Sequence, residues 1–148
     1  MLGRDRIEAA AERIARRVRR TPVLRVTGAE LGLATPVAFK MEFLQHTGSF
    51  KPRGAFNRML AASLPAAGVI AASGGNHGAA VAQAAQALGV PAEVFVPTTA
   101  PAAKVARIAG YGARVVQIGA SYNEAMLASQ ARAGETGSRL RRSVSRAG

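Results

Sequence analysis

The 148-residue chain has no cysteine, no tryptophan and only two histidines. Without thiols it can form neither a disulfide nor a thiolate metal site, and two lone imidazoles make a poor zinc site, so no metal centre is expected. Acids are scarce too: eight Asp and Glu stand against twenty Lys and Arg, a formal charge of +12. No apolar run reaches the roughly 18 residues of a bilayer-crossing helix, and residues 1–6 are charged where a secretory peptide would begin its hydrophobic stretch. The chain therefore reads as unexported and cytoplasmic, with no membrane partner. The charge invites a nucleic-acid reading, but its distribution weakens it. Residues 4–20 hold seven Arg and three acids, 138–148 hold four Arg and no acid, and 21–137 hold nine bases against five acids. The excess sits at the ends, and with aromatics at 5% of the chain there is no stacking pattern beside it, so no nucleic-acid partner is expected.

Small apolar side chains are plentiful. Apolar residues make up 49% of the sequence, and 33 of the residues are alanine, which predicts helices packed closely on a sheet with few large anchors. Ile7, Ala10, Ala11, Ile14 and Val18 recur at helical spacing, so 4–20 reads as an amphipathic helix that Thr21-Pro22 ends. A strand at 23–26 follows. Strands at 37–41, 69–72, 93–96 and 114–118 then alternate with helices at 52–64, 77–88, 101–109 and 121–133. Pro52 and Pro101 suit first helical positions, and Gly89 and Gly110 follow helix ends. Alternation on this scale predicts an α/β fold, an open, mainly parallel sheet with helices on both faces. After Gly137 it calls for an apolar strand, yet 138–148 is rich in Arg and Ser, with only Leu140 and Val144 to serve a core. A basic tail, or a change of reading frame near Gly137, would each account for that.

Two segments carry chemistry. Thr47 to Ala55 and Ala72 to Gly78 each place small polar residues at a predicted helix N-terminus, where unpaired backbone N–H groups and the helix dipole attract anions. The second segment follows strand 69–72 directly, at the carboxyl edge of the sheet where open α/β folds bind ligands. A well-capped turn, with Ser73 or Asn76 as N-cap, explains the same residues. Lys51 is one of only three lysines. The positive end of a helix, and any burial, disfavour its charged form and favour a free amine able to attack a carbonyl. Taken alone, a lysine there equally fits a solvated side chain.

Together the segments say more. Glu42-Phe-Leu-Gln-His-Thr-Gly-Ser-Phe-Lys-Pro-Arg-Gly-Ala55, Ser73-Gly-Gly-Asn-His-Gly78 and Gly89-Val-Pro-Ala-Glu-Val-Phe-Val-Pro97 resemble, in order and spacing, the pyridoxal-phosphate enzymes of the tryptophan-synthase-β type (fold type II). Among these the chain is most similar to serine/threonine dehydratases, the threonine ammonia-lyases, over about residues 5–137. Pro52 departs from the commonest residue after the lysine. The resemblance implies pyridoxal 5'-phosphate as cofactor, an amino acid as substrate, and homo-oligomers for full-length members. It implies that Lys51 binds the cofactor covalently and then removes the α-proton, that Asn76 bonds the ring hydroxyl, and that Phe50 packs on the ring. Ser73, Gly74 and the backbone of Gly75, Asn76 and His77 would hold the substrate carboxylate. His46 and His77 would be structural, with Arg53 and Glu42 as scaffold around the lysine. Threonine would yield 2-oxobutanoate and serine pyruvate, by elimination of water to an enamine whose hydrolysis releases ammonia. Serine racemases differ in a second acid/base serine two residues before the asparagine, where this chain has Gly74.

The resemblance also marks what is missing: the glycine-rich loop for the cofactor phosphate and the polar partner of the pyridine nitrogen, both downstream in the family. The expected organisation is 1–36, a helix and strand made to pack on an absent large domain; 37–137, the lysine and substrate-loop region; and 138–148, a basic tail, possibly out of frame. Such a truncated enzyme should turn over little alone. A non-catalytic remnant or interaction domain is the alternative; serine racemase and nucleic-acid binder fit less well.

Overall fold

The computed structural model describes residues 3–141, Leu140 and Arg141 by backbone alone. Helix α1 (Arg4–Ile14) leads to a two-stranded antiparallel ribbon, β1 (Val23–Val26) with β2 (Val37–Lys40), in register Val23 to Lys40. The 3-10 turns Glu42–Leu44 and His46–Gly48 precede α2 (Lys51–Leu60). Next come β3 (Val69–Ala72), α3 (Asn76–Ala87), β4 (Ala92–Val96), α4 (Ala102–Ala109), β5 (Arg114–Gln117), α5 (Tyr122–Thr136) and β6 (Arg139–Arg141).

The main sheet runs β5-β4-β3-β6, parallel throughout. Side chains of a strand alternate between faces, and here both faces are covered. Val69 and Ala71 of β3, with Val94 and Val96 of β4, pack under Phe56 and Met59 of α2, the alanines of α3 and Ile108 of α4. Ile70, Ala72 and Phe95 point the other way, against Ala125 of α5. Burying a side chain the size of Phe56 contributes about 1.5–3 kcal/mol. The alanines of α3, several of them wholly buried, let α2 come close on one side and the sheet on the other.

The α/β architecture is as expected; several element ends differ. The first helix stops at Ile14 instead of running to 20. Arg17 N–H bonds the Ile14 carbonyl in a tighter turn, and Arg19 is held by Gln45, whose Oε1 accepts from Arg19 N–H and whose Nε2 donates to the Arg19 carbonyl. Helix α2 ends at Leu60 rather than 64, with Ala61 as its C-cap, and Leu64, just before Pro65, lies outside any helix. It starts at Lys51, one residue before Pro52, so the lysine lies inside its first turn. The largest difference is β6. Arg139, expected in a tail, begins a strand: it pairs with Val69, its N–H bonds the Gly68 carbonyl, and just before it Ser138 Oγ donates to the Ala67 carbonyl. An edge strand needs only backbone partners on one side, and charged residues are common there, so apolar patterning does not reveal it. The rest of the basic segment, 142–148, including Val144, lies outside the described residues.

Candidate active site

The strand order creates a site. The chain moves outward from β3 through β4 to β5, then crosses the opposite face by α5 and returns beside β3 as β6. Connections therefore leave β3 and arrive at its neighbour on opposite faces, the switch point at whose carboxyl edge open α/β sheets bind ligands. The segment leaving β3 there is Ser73 to Gly78.

Ser73 N–H still bonds the Phe95 carbonyl, so the loop begins as an extension of the sheet. Its Oγ accepts the Gly75 N–H at 3.3 Å. Helix α3 then starts with Gly75 as N-cap and no capping side chain; its first intrahelical bond runs from Ala79 N–H to Gly75 O. This corrects the expected Ser73 or Asn76 cap: Asn76 is already helical, and it is exposed. The missing cap keeps the dipole end of α3 available to an anion. Gly78 fixes the approach, since a Cβ there would lie 1.9 Å from the Ser73 carbonyl oxygen.

Helix α4 supplies positive charge that the sequence reading passed over. Lys104 and Arg107 line a cavity of about 40 Å³ together with Gly74, Gly75, Asn76, Ala79 and Ile108. Their spacing of three residues puts both on one helix face, a signal visible in the sequence once α4 is known to pack beside α3. Arg107 Nη2 also donates to the Thr47 carbonyl. Arg107 thus lies beside the start of α3 while bonding the turn that leads into Lys51, and α3 packs on that turn as well.

Lys51 is half-buried, and its Nζ lies 4.9 Å from the centroid of the Phe50 ring. Among the described residues no acid or carbonyl pairs with it. Phe50 itself is 59% exposed, an aromatic face held out beside an amine. Behind the lysine, Arg53 grips Glu42 with two bonds, Nε to Oε2 and Nη2 to Oε1, both 2.7 Å. Thr21 Oγ1 donates to the same Oε1 at 2.6 Å. The Arg53 bonds hold the Glu42 carboxyl below its ordinary range, against burial, which pushes it up. Burial, with the Arg19 charge, lowers His46 below the usual histidine value. The expected site residues fall into two groups, Phe50 with Lys51 and the loop from Ser73 to His77, and Arg107 lines a cavity with the second while bonding the turn before the first. Among the described residues no three His, Asp or Glu side chains gather as for a metal, and no helix is long and apolar enough to cross a membrane.

Comparison with known proteins agrees with this geometry. L-threonine ammonia-lyase of Geobacter sulfurreducens is 44% identical over 130 residues, 86% of this chain and 32% of the relative. Serine racemase of Schizosaccharomyces pombe is 41% identical over 114 residues, 76% and 35%. Among solved structures, maize serine racemase superposes with a TM-score of 0.84 at 39% identity, covering 92% of this chain and 42% of that one. A threonine deaminase from T.th. gives 0.84 at 40%, covering 95% and 45%. The chain thus spans from 32% to 45% of the length of these relatives. With the family model for pyridoxal-phosphate dependent enzymes matching residues 14–145, and with the lysine turn and glycine loop on one switch-point sheet, the chain belongs to the pyridoxal-phosphate dependent enzymes.

Proposed function

We propose that these residues carry the lysine and substrate-carboxylate part of an L-threonine/L-serine ammonia-lyase. The residues present fit the family's cofactor: a half-buried amine with no acid partner among the described residues, beside an exposed aromatic face, suits an aromatic aldehyde. When bound, pyridoxal phosphate makes the α-proton of an amino acid acidic by delocalising charge into its ring. Lys51 Nζ would hold that group and would serve as the base for the α-proton. Ser73 and the backbone N–H groups of Gly75 to His77 hold the carboxylate, with Lys104 and Arg107 adding positive potential. Asn76 would bond the ring hydroxyl and Phe50 would pack on the ring. Loss of the β-hydroxyl as water leaves an enamine whose hydrolysis takes a water back and releases ammonia, so the net products are ammonia with 2-oxobutanoate from threonine or pyruvate from serine. Gly74 has no proton to deliver to the other face, which favours elimination over racemisation; equal rates of D-serine and pyruvate formation contradict this.

The observation that carries the reading is the half-buried Lys51 amine, with no acid partner among the described residues, just after a turn that Arg107 bonds while lining a cavity with the uncapped start of α3. No glycine cluster for the phosphate occurs after Gly78, so these 148 residues should hold the cofactor weakly and turn over little alone. To test it, the chain is mixed with pyridoxal phosphate, reduced with borohydride and mapped by mass spectrometry. The label should fall on Lys51 and vanish in Lys51→Ala; an even spread over Lys40, Lys51 and Lys104 defeats the reading. A non-catalytic remnant is favoured instead if Lys51 is labelled but neither amino acid releases ammonia in any complex the chain forms.

A further inference from the structure

Resting on that reading of Lys51, we infer that Glu42 is a positioning residue for the lysine: through Arg53 it clamps the loop that presents the amine. The pair spans eleven residues of chain, from the turn before the loop to the first turn of α2, and everything between, His46 to Lys51 included, lies inside the closure. That loop has features that would relax if it were free. Thr47 is the one non-glycine among the described residues with positive φ, +60°. The hydroxyls of Thr47 and Ser49 are buried without a hydrogen-bond partner. Backbone in this region, and polar atoms left unpaired, persist only where surrounding contacts over-determine them.

The clamp has the right form for the task. Arg53 meets the carboxylate with a planar fork, which fixes direction as well as distance. Thr21, only 4% exposed, holds the carboxylate from behind, and the Thr21 carbonyl receives Lys40 Nζ at 2.7 Å. Helix α2 has no capping side chain at its N-terminus, so the fork is the main side-chain restraint on its first turn, where Lys51 and Arg53 sit two residues apart. Glu42 touches neither the lysine nor the loop from Ser73; its effect on Lys51 is conveyed through Arg53.

The test uses the full chain and the variants Glu42→Gln and Arg53→Lys, with circular dichroism melts to establish folding. The first readout is the ratio of pyridoxyl label on Lys51 to that on Lys104 after borohydride reduction; the second, independent of the cofactor, is amide hydrogen exchange at 47–51. Glu42→Gln should lower the label ratio roughly tenfold, the scale of a small misplacement of a reacting group, and should speed exchange at 47–51 more than in β3 or α3. Arg53→Lys, which keeps the charge but loses the fork, should behave in the same direction. Unchanged label ratio and exchange in folded variants overturn the inference. So does unfolding of both variants, which would make the pair part of the general core. If the wild-type label shows no preference for Lys51, the ammonia-lyase reading fails separately, and the exchange readout still judges the clamp.

Discussion

Three glycines in one short loop meet three different surroundings. A Cβ at Gly78 would sit 1.9 Å from a backbone oxygen, one at Gly74 would touch Val96 Cγ1 at 3.6 Å, and one at Gly75 would meet nothing within 4 Å. Gly78→Ala should therefore cost roughly 1–3 kcal/mol through overpacking, whereas Gly74→Ala and Gly75→Ala should stay within about 1 kcal/mol. Thermal melts of the three variants rank them, and equal losses would contradict the close approach of α3 to Ser73. Gly74→Ser puts a hydroxyl where Gly74 has none, in ordinary contact with its neighbours. In any assembly of this chain that turns over serine, it should raise the yield of D-serine relative to pyruvate, read by chiral chromatography. The sequence shows a glycine at each position, but only the packing tells a glycine required by space from one permitted by it.

At the scale of elements, α2 and the segment before it depend on Glu42. Its carboxyl lies below the ordinary value of 4.5, first because of the Arg53 bonds, with smaller help from Thr21 and Lys40. As pH falls, the unfolded chain takes up this proton before the folded one does. The Glu42 contribution is thus complete above the ordinary value and is lost as pH drops through the lowered one. Glu42→Gln should lose roughly 1.5–3 kcal/mol at neutral pH, the worth of hydrogen bonds to a charged group, and the gap to wild type should narrow below about pH 4. Urea unfolding across that range checks it, and a gap independent of pH would assign the stability elsewhere. Most elements are legible in advance because a buried strand and an alanine-rich helix have different periods. Their ends are not: α1 stops at Ile14 because Gln45, distant in sequence, takes the Arg19 backbone. The β6 strand escapes pattern reading because its partner is the backbone of β3, which makes no demand on composition.

For the whole molecule, a groove of about 610 Å³ runs between α1 and α2, floored by Ile7, Ala10, Ala11, Ile14 and Val18 and edged by Arg19, Arg20, Lys40 and Arg53. Ile7, Val23, Leu24 and Phe39 are all more than two-fifths exposed, in the region expected to pack on a further domain. Apolar surface on this scale is unusual for an isolated domain. The folded chain should brighten an environment-sensitive hydrophobic dye, and Ile7→Gln with Leu24→Thr should remove half or more of that signal while shifting stability by no more than about 1 kcal/mol. Dye fluorescence unchanged by the double variant would place the dye elsewhere.

Periodicity, glycine placement and the run from Glu42 to Ala55 determined by themselves that this is an α/β protein and marked Lys51 and the segment from Ser73 to Gly78 as candidates, since these depend on neighbours in sequence. Only the tertiary structure decided that β6 returns beside β3 to make the switch point, that Arg107 bonds Thr47 while lying beside the start of α3, and that Glu42 holds Arg53. Each is a contact between residues far apart along the chain. Local patterning carries no trace of such contacts until packing has fixed which surfaces face each other.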